Sequence, residues 1–176
     1  MSLNFRHALL GAVLFSMSAL AAATQSAAAS APAAPASANK PVVQHAAARN
    51  LAQEEVNRRL VVEFYERFFN QHDTVAAAAV VAEDYIQHNP AVPDGKAPFV
   101  DFFTGYFQEN PQSRARIVRS ATEGDLVYLH VHSTNGELDR GQAVIDIFRV
   151  QDGRIVEHWD VIQEVPAEAA NRNTMF

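Results

Sequence analysis

Between Asn50 and Asn70 the apolar residues recur with a helical period. Val61, Phe64, Tyr65 and Phe68 fall at i, i+3, i+4 and i+7, which places them on one face of a predicted helix. The polar stretch "NQHD" closes that helix, and Asp73 or Thr74 is placed to cap a second one over "VAAAAVVAEDY". The next stretch, "YIQHNPAVPDG", ends in turn residues: Asn89, Pro90, Pro93, Asp94 and Gly95. A third helix follows in "KAPFVDFFTGYFQENP", where Phe99, Phe102, Phe103, Tyr106 and Phe107 form an aromatic face and Pro98 sits harmlessly in the first turn. From there the period changes to two. "RARIVRSATEG", "DLVYLHVHST", "GQAVIDIFRV" and "RIVEHWDVIQ" are β-branched runs, separated by turn signals at Gly124, Asn135-Gly136 and Asp152-Gly153. Short connections make antiparallel neighbours of these strands. The pattern predicts an α+β domain: three N-terminal helices packed on a curved, mostly antiparallel sheet. Such a sheet can close round its helices into an open cone, whose mouth suits a small molecule.

The N-terminus departs from this pattern. Arg6 and His7 precede an apolar run from Ala8 to Ala23, and the small residues Ala21 and Ala23 suit cleavage before Thr24. Residues 1–23 therefore read as a secretory signal, which predicts export to the periplasm or medium and no membrane association after cleavage. An uncleaved anchor is the alternative, but the run is short of about 20 strongly apolar residues. Residues 24–46 are rich in Ala, Ser and Pro with little to bury, so they read as a disordered spacer before a folded domain over 47–176. The chain holds no cysteine, so it can be neither a thiol enzyme nor a cysteine-lipidated lipoprotein. A net charge of −6 without a basic patch argues against nucleic-acid binding.

Some polar residues do not belong in an ordinary core or loop. Side chains alternate across a strand, so Asp146 shares its face with apolar Val144 and Phe148. Aspartate is a poor strand former, and a buried carboxylate needs a partner or a shifted protonation equilibrium. That combination marks Asp146 as a candidate acid/base, with Phe148 as part of its pocket wall. The alternation also puts His158 and Asp160 on one face with Val156 and Ile162, with Glu157 and Trp159 opposite. His130 and His132 share a face with Tyr128. The "HVH" spacing could place two imidazoles on a metal, but no motif fixes a third ligand, so no metal is assigned. Tyr85, Gln87 and His88 precede a turn that does not require them, and Gln87, His88 and Asn89 are the candidates for the pocket rim.

"YIQHNPAVPDG", "VIDIFRVQDGRIVEHWDVIQ" and the terminal "NRNTMF" resemble the SnoaL-like polyketide cyclases of the nuclear-transport-factor-2-like superfamily, which also holds the ketosteroid isomerases. The resemblance covers about residues 50–176. It implies a cone-shaped fold, a sheet-mediated homodimer, and cofactor-free acid/base chemistry on a carbonyl compound, such as an aldol closure. In the cyclases a strand aspartate is the acid/base, and Asp146 matches its motif. In the isomerases that strand position is a neutral aspartic acid beside a tyrosine, and Tyr65 looks equivalent to that tyrosine. The isomerase strand parity would turn His158 and Asp160 inward. One departure matters: the isomerases' general-base carboxylate falls where this chain has Asn89, and an amide cannot take up a proton at neutral pH. His88, its neighbour, becomes the candidate replacement.

The sequence thus predicts a cofactor-independent acid/base enzyme of the cyclase or isomerase type. Asp146, His88 and Tyr65 would be catalytic, and Tyr85, Asn89, His130, His132, Phe148, His158 and Asp160 would line a site for a small apolar carbonyl compound. The alternative is an exported ligand-binding module of the same fold.

Overall fold

Asn50 begins the first helix by accepting the Gln53 amide N–H on its side chain (3.1 Å). The computed structural model of the protein describes residues 49–176. The predicted leader, the spacer and the first residues of the predicted domain lie outside them.

Helix α1 (Leu51–Tyr65) continues as one widened π turn over Glu66–Asn70. Its expected stripe of Val61, Phe64, Tyr65 and Phe68 is buried. A short α2 (Thr74–Ala77) and a 3-10 turn (Ala78–Val80) follow, then strand β1 (Val81–Gln87) and helix α3 (Lys96–Glu109). Four longer strands complete the chain: β2 (Ser113–Glu123), β3 (Leu126–Asn135), β4 (Gln142–Gln151) and β5 (Arg154–Glu164). The sheet order is β1-β5-β4-β3-β2, with β1 parallel to β5 and every other pair antiparallel.

The second predicted helix is the main correction. Its alanines form little more than one helical turn, and Val81–Gln87 extends along the edge of the sheet instead. Val81, fully buried and paired with Ile155, shows why: a β-branched residue beside an open strand edge outweighs the local helical preference of the alanine run. Between the pairs Val81↔Ile155 and Ile86↔Glu157 the β1 chain bulges, which buries Tyr85 while Glu83 and Asp84 face solvent.

The inner sheet face presents Val127, Leu129, Val131, Val144, Phe148, Val150 and Ile155 to the helices. Phe68 and Phe99 stack at 4.6 Å in the middle of this core, with Phe64, Phe103 and Phe107 around them. The β4–β5 register shifts between Arg149 and Val150, so Ile155 pairs with Val150 and turns inward. Val156, expected on the face of His158, is the residue taken up by that bulge. Beyond it the predicted alternation holds, with Phe148 opposite His158, Asp146 opposite Asp160 and Val144 opposite Ile162.

Candidate active site

Asp146 lies at the middle of β4 on the inner face and is 5% exposed. Its carboxylate is held from two sides. The Tyr65 hydroxyl, from the last turn of α1, donates to Oδ2 at 2.8 Å, and His158 Nε2 lies 3.0 Å from Oδ1. Burial raises the Tyr65 phenol well above its ordinary range, and the neighbouring Asp146 carboxylate adds to the effect. The hydroxyl therefore keeps its proton at neutral pH and acts as a donor.

His158 is itself buried and enclosed by rings: Phe148 at 4.7 Å and Tyr85 at 6.5 Å between centroids. Burial also raises the Tyr85 phenol, reinforced by Asp146 and then Asp160. Gln87, the last residue of β1, accepts from His158 Nδ1 on Oε1 at 2.9 Å. Asn89 donates from Nδ2 to Asp160 Oδ2 at 2.7 Å, and its own Oδ1 accepts the Ala91 N–H at 2.9 Å. The loop that carries these groups is pinned at its far end. Asp94 accepts the Gln87 N–H (2.8 Å), and the Gly95 N–H donates to the Tyr85 carbonyl (2.7 Å). Gly95 does so at φ 97°, a backbone region that glycine occupies without strain.

The structure therefore brings together Asp146, Tyr65, His158, Asp160, Tyr85, Phe148 and Asn89. It separates three of the expected histidines from them. His88 turns to the outer face of the sheet, where Nε2 meets Glu157 Oε1 at 2.8 Å and the ring stacks on Trp159 at 4.6 Å. The cause is strand alternation: Gln87 points inward, so its neighbour points out. His130 and His132 also lie on the outer face, opposite buried Leu129 and Val131. Arg119 donates to His130 Nδ1, His132 Nε2 donates to the Arg140 carbonyl, and the Phe176 ring stacks on both imidazoles. Gln87 is the functional candidate that sequence pattern placed only on the rim. Its signal was its parity with Tyr85, which the helical reading of residues 75–85 concealed.

Asp146, His158 and Asp160 offer ligand atoms within 4.8 Å of one another, and they are the group among the described residues that could hold a metal ion. Two surface clefts, of about 460 and 500 Å³, lie elsewhere. One is lined by Arg58, Glu63 and Arg67 on α1 and the π turn, the other by Asn50, Glu54 and Asp152, and neither reaches Asp146. The buried carboxylate with its donors is the stronger functional signal, because cleft size alone carries no chemistry.

The sequence profile of the SnoaL-like domain family matches residues 61–158, a span that includes Tyr65, Gln87, Asp146 and His158. Among solved structures, wild-type IdmH of Streptomyces antibioticus, proposed to be a polyketide cyclase, is similar at 22% identity and a TM-score of 0.52, over 60% of this chain and 91% of that one. TsrD of Streptomyces laurentii is similar at 18% identity and a TM-score of 0.53, over 61% and 88%. An NTF2-like protein of unknown function from Mesorhizobium loti shows 22% identity and a TM-score of 0.52, over 63% and 93%. At these identities the likeness is one of fold. No curated protein matches the sequence.

Proposed function

Because the chain belongs to the SnoaL-like domain family, we propose that it is an acid/base enzyme acting on a small carbonyl compound, with Asp146 as the group that moves the proton. The observation that carries this reading is the buried Asp146 carboxylate, held between the Tyr65 hydroxyl and His158 in an aromatic surround. Asp146 removes an α-proton, and the electron pair of that C–H bond moves onto the carbonyl oxygen to give an enolate. Tyr65, neutral and already pointing into the site, turns its hydroxyl from the protonated Asp146 to the enolate oxygen. The proton then returns to another carbon, giving isomerisation, or the enolate carbon bonds to a second carbonyl whose oxygen takes the proton, giving aldol closure. The chain supplies acid, base and donor itself, so the scheme calls on no cofactor. The apolar rings favour a largely apolar substrate, positioned by Asn89 and Asp160. Export to the periplasm or medium and assembly as a homodimer belong to the same proposal.

A panel of ketones and β-keto esters tests it. Incubation in heavy water, read by mass spectrometry, is expected to show incorporation at the α-carbon above the buffer rate for at least one compound. A panel that raises the melting temperature without any exchange or product would overturn catalysis in favour of a ligand-binding module.

A further inference from the structure

The hydrogen bonds around Gln87 determine more than its position. Asn89 donates its backbone N–H to Gln87 Oε1 at 3.1 Å, so this atom is an oxygen, with the amide nitrogen on the other side. His158 Nδ1 meets the same Oε1 at 2.9 Å, and an oxygen can only accept there, so Nδ1 carries a proton. Nε2 is then the nitrogen left to face Asp146 Oδ1 across 3.0 Å. Two lone pairs repel at that separation, so where no metal ion bridges the two atoms a proton lies between them. Tyr65 already donates to the other carboxylate oxygen.

We propose that Gln87 is a positioning residue that fixes the His158 tautomer, so that Nε2 and Asp146 hold a single proton between them. The proton moves along one short hydrogen bond, giving either a carboxylate beside an imidazolium or a carboxylic acid beside a neutral imidazole. In the first form Asp146 is free to take a substrate proton, and the imidazolium offsets the enolate charge that results. When the substrate takes a proton back from Asp146, the starting state is restored. This consequence rests on the acid/base role proposed for Asp146, but the tautomer itself is read without a substrate. Failure of the exchange assay and failure of this inference are therefore separate results.

The test is nitrogen-15 spectroscopy of the ring of His158 in the full-length protein at neutral pH, assigned by comparison with His158→Gln. Nδ1 is expected to be protonated, with a ring N–H signal that shows Overhauser contacts to the Gln87 side chain. A neutral ring protonated on Nε2 alone would overturn the proposal. Gln87→Met removes the acceptor at nearly constant volume, and the ring is expected to give up its Nδ1 proton to solvent, leaving the Nε2–H form that donates to Asp146. Gln87→Glu keeps an acceptor oxygen and should keep Nδ1 protonated. An unchanged Nδ1–H in Gln87→Met would show that Gln87 does not set the tautomer. Should that variant not fold, absence of the contact between Nδ1–H and Gln87 in the wild type overturns the same point.

Discussion

Asp146, Tyr65 and His158 come from β4, α1 and β5, and each is held by a neighbour distant in sequence. Tyr65→Phe removes only the hydroxyl, so the ring packing against Phe69 (4.4 Å) and Phe148 survives while Asp146 loses a donor. The expected result is a loss of exchange rate on the order of 10²-fold, with a loss of about 1–3 kcal/mol in stability because the buried carboxylate keeps only His158. His88→Ala is expected to leave the exchange rate within about twofold, because His88 contacts Glu157 and Trp159 on the far face; steady-state kinetics with the best panel compound would show otherwise. The different outcomes for two adjacent residues, Gln87 and His88, follow from alternation. Asp146 was legible in the sequence because an aspartate between Val144 and Phe148 on one strand face is costly unless paired. Tyr65 was legible from its place in the buried stripe. The inward turn of Gln87 was not, since it depends on β1 being a strand.

At the level of elements, the four long strands, the first helix and the third follow from periodicity. β1 does not, because the alanines before it favour a helix in isolation and only the open edge of β5 selects the extended form. The β4–β5 bulge was equally hidden, and with it the inward turn of Ile155 in place of Val156. Both corrections lie beside the site, where β1 delivers Gln87 and β5 delivers His158. The aromatic contacts between α1 and α3 hold this arrangement together. Phe68 is fully buried and stacks on Phe99, so Phe68→Ala is expected to cost roughly 3–5 kcal/mol in chemical denaturation. A loss below about 1 kcal/mol would mean that the two helices do not share this core.

For the whole molecule, stability should fall at both ends of the pH range. The Arg49 guanidinium holds the Glu54 carboxyl down to about 2, and Arg58 does the same for Glu55. A carboxyl depressed in the fold contributes fully above its unfolded pKa of about 4.3, and that contribution is lost as pH falls toward 2. Tyr65 and Tyr85 are shifted the other way by burial, so the unfolded chain ionises first and stability declines as pH rises above about 10. Melting curves across pH should show both declines, and Tyr85→Phe should weaken the alkaline one. The outer sheet face exposes Ile145 and Val161, which fits burial against a second copy. Sedimentation is expected to show a dimer that Ile145→Asp with Val161→Asp converts to monomer; a monomeric wild type would contradict this.

The central claim is that Asp146 moves a substrate proton. The most direct measurement compares wild type and Asp146→Asn for deuterium transfer from heavy water to the α-carbon of the best ketone or β-keto ester. The account predicts exchange above the buffer rate in the wild type, and a loss of roughly 10²–10⁴-fold in a variant that still folds. Equal exchange by the two proteins would contradict it.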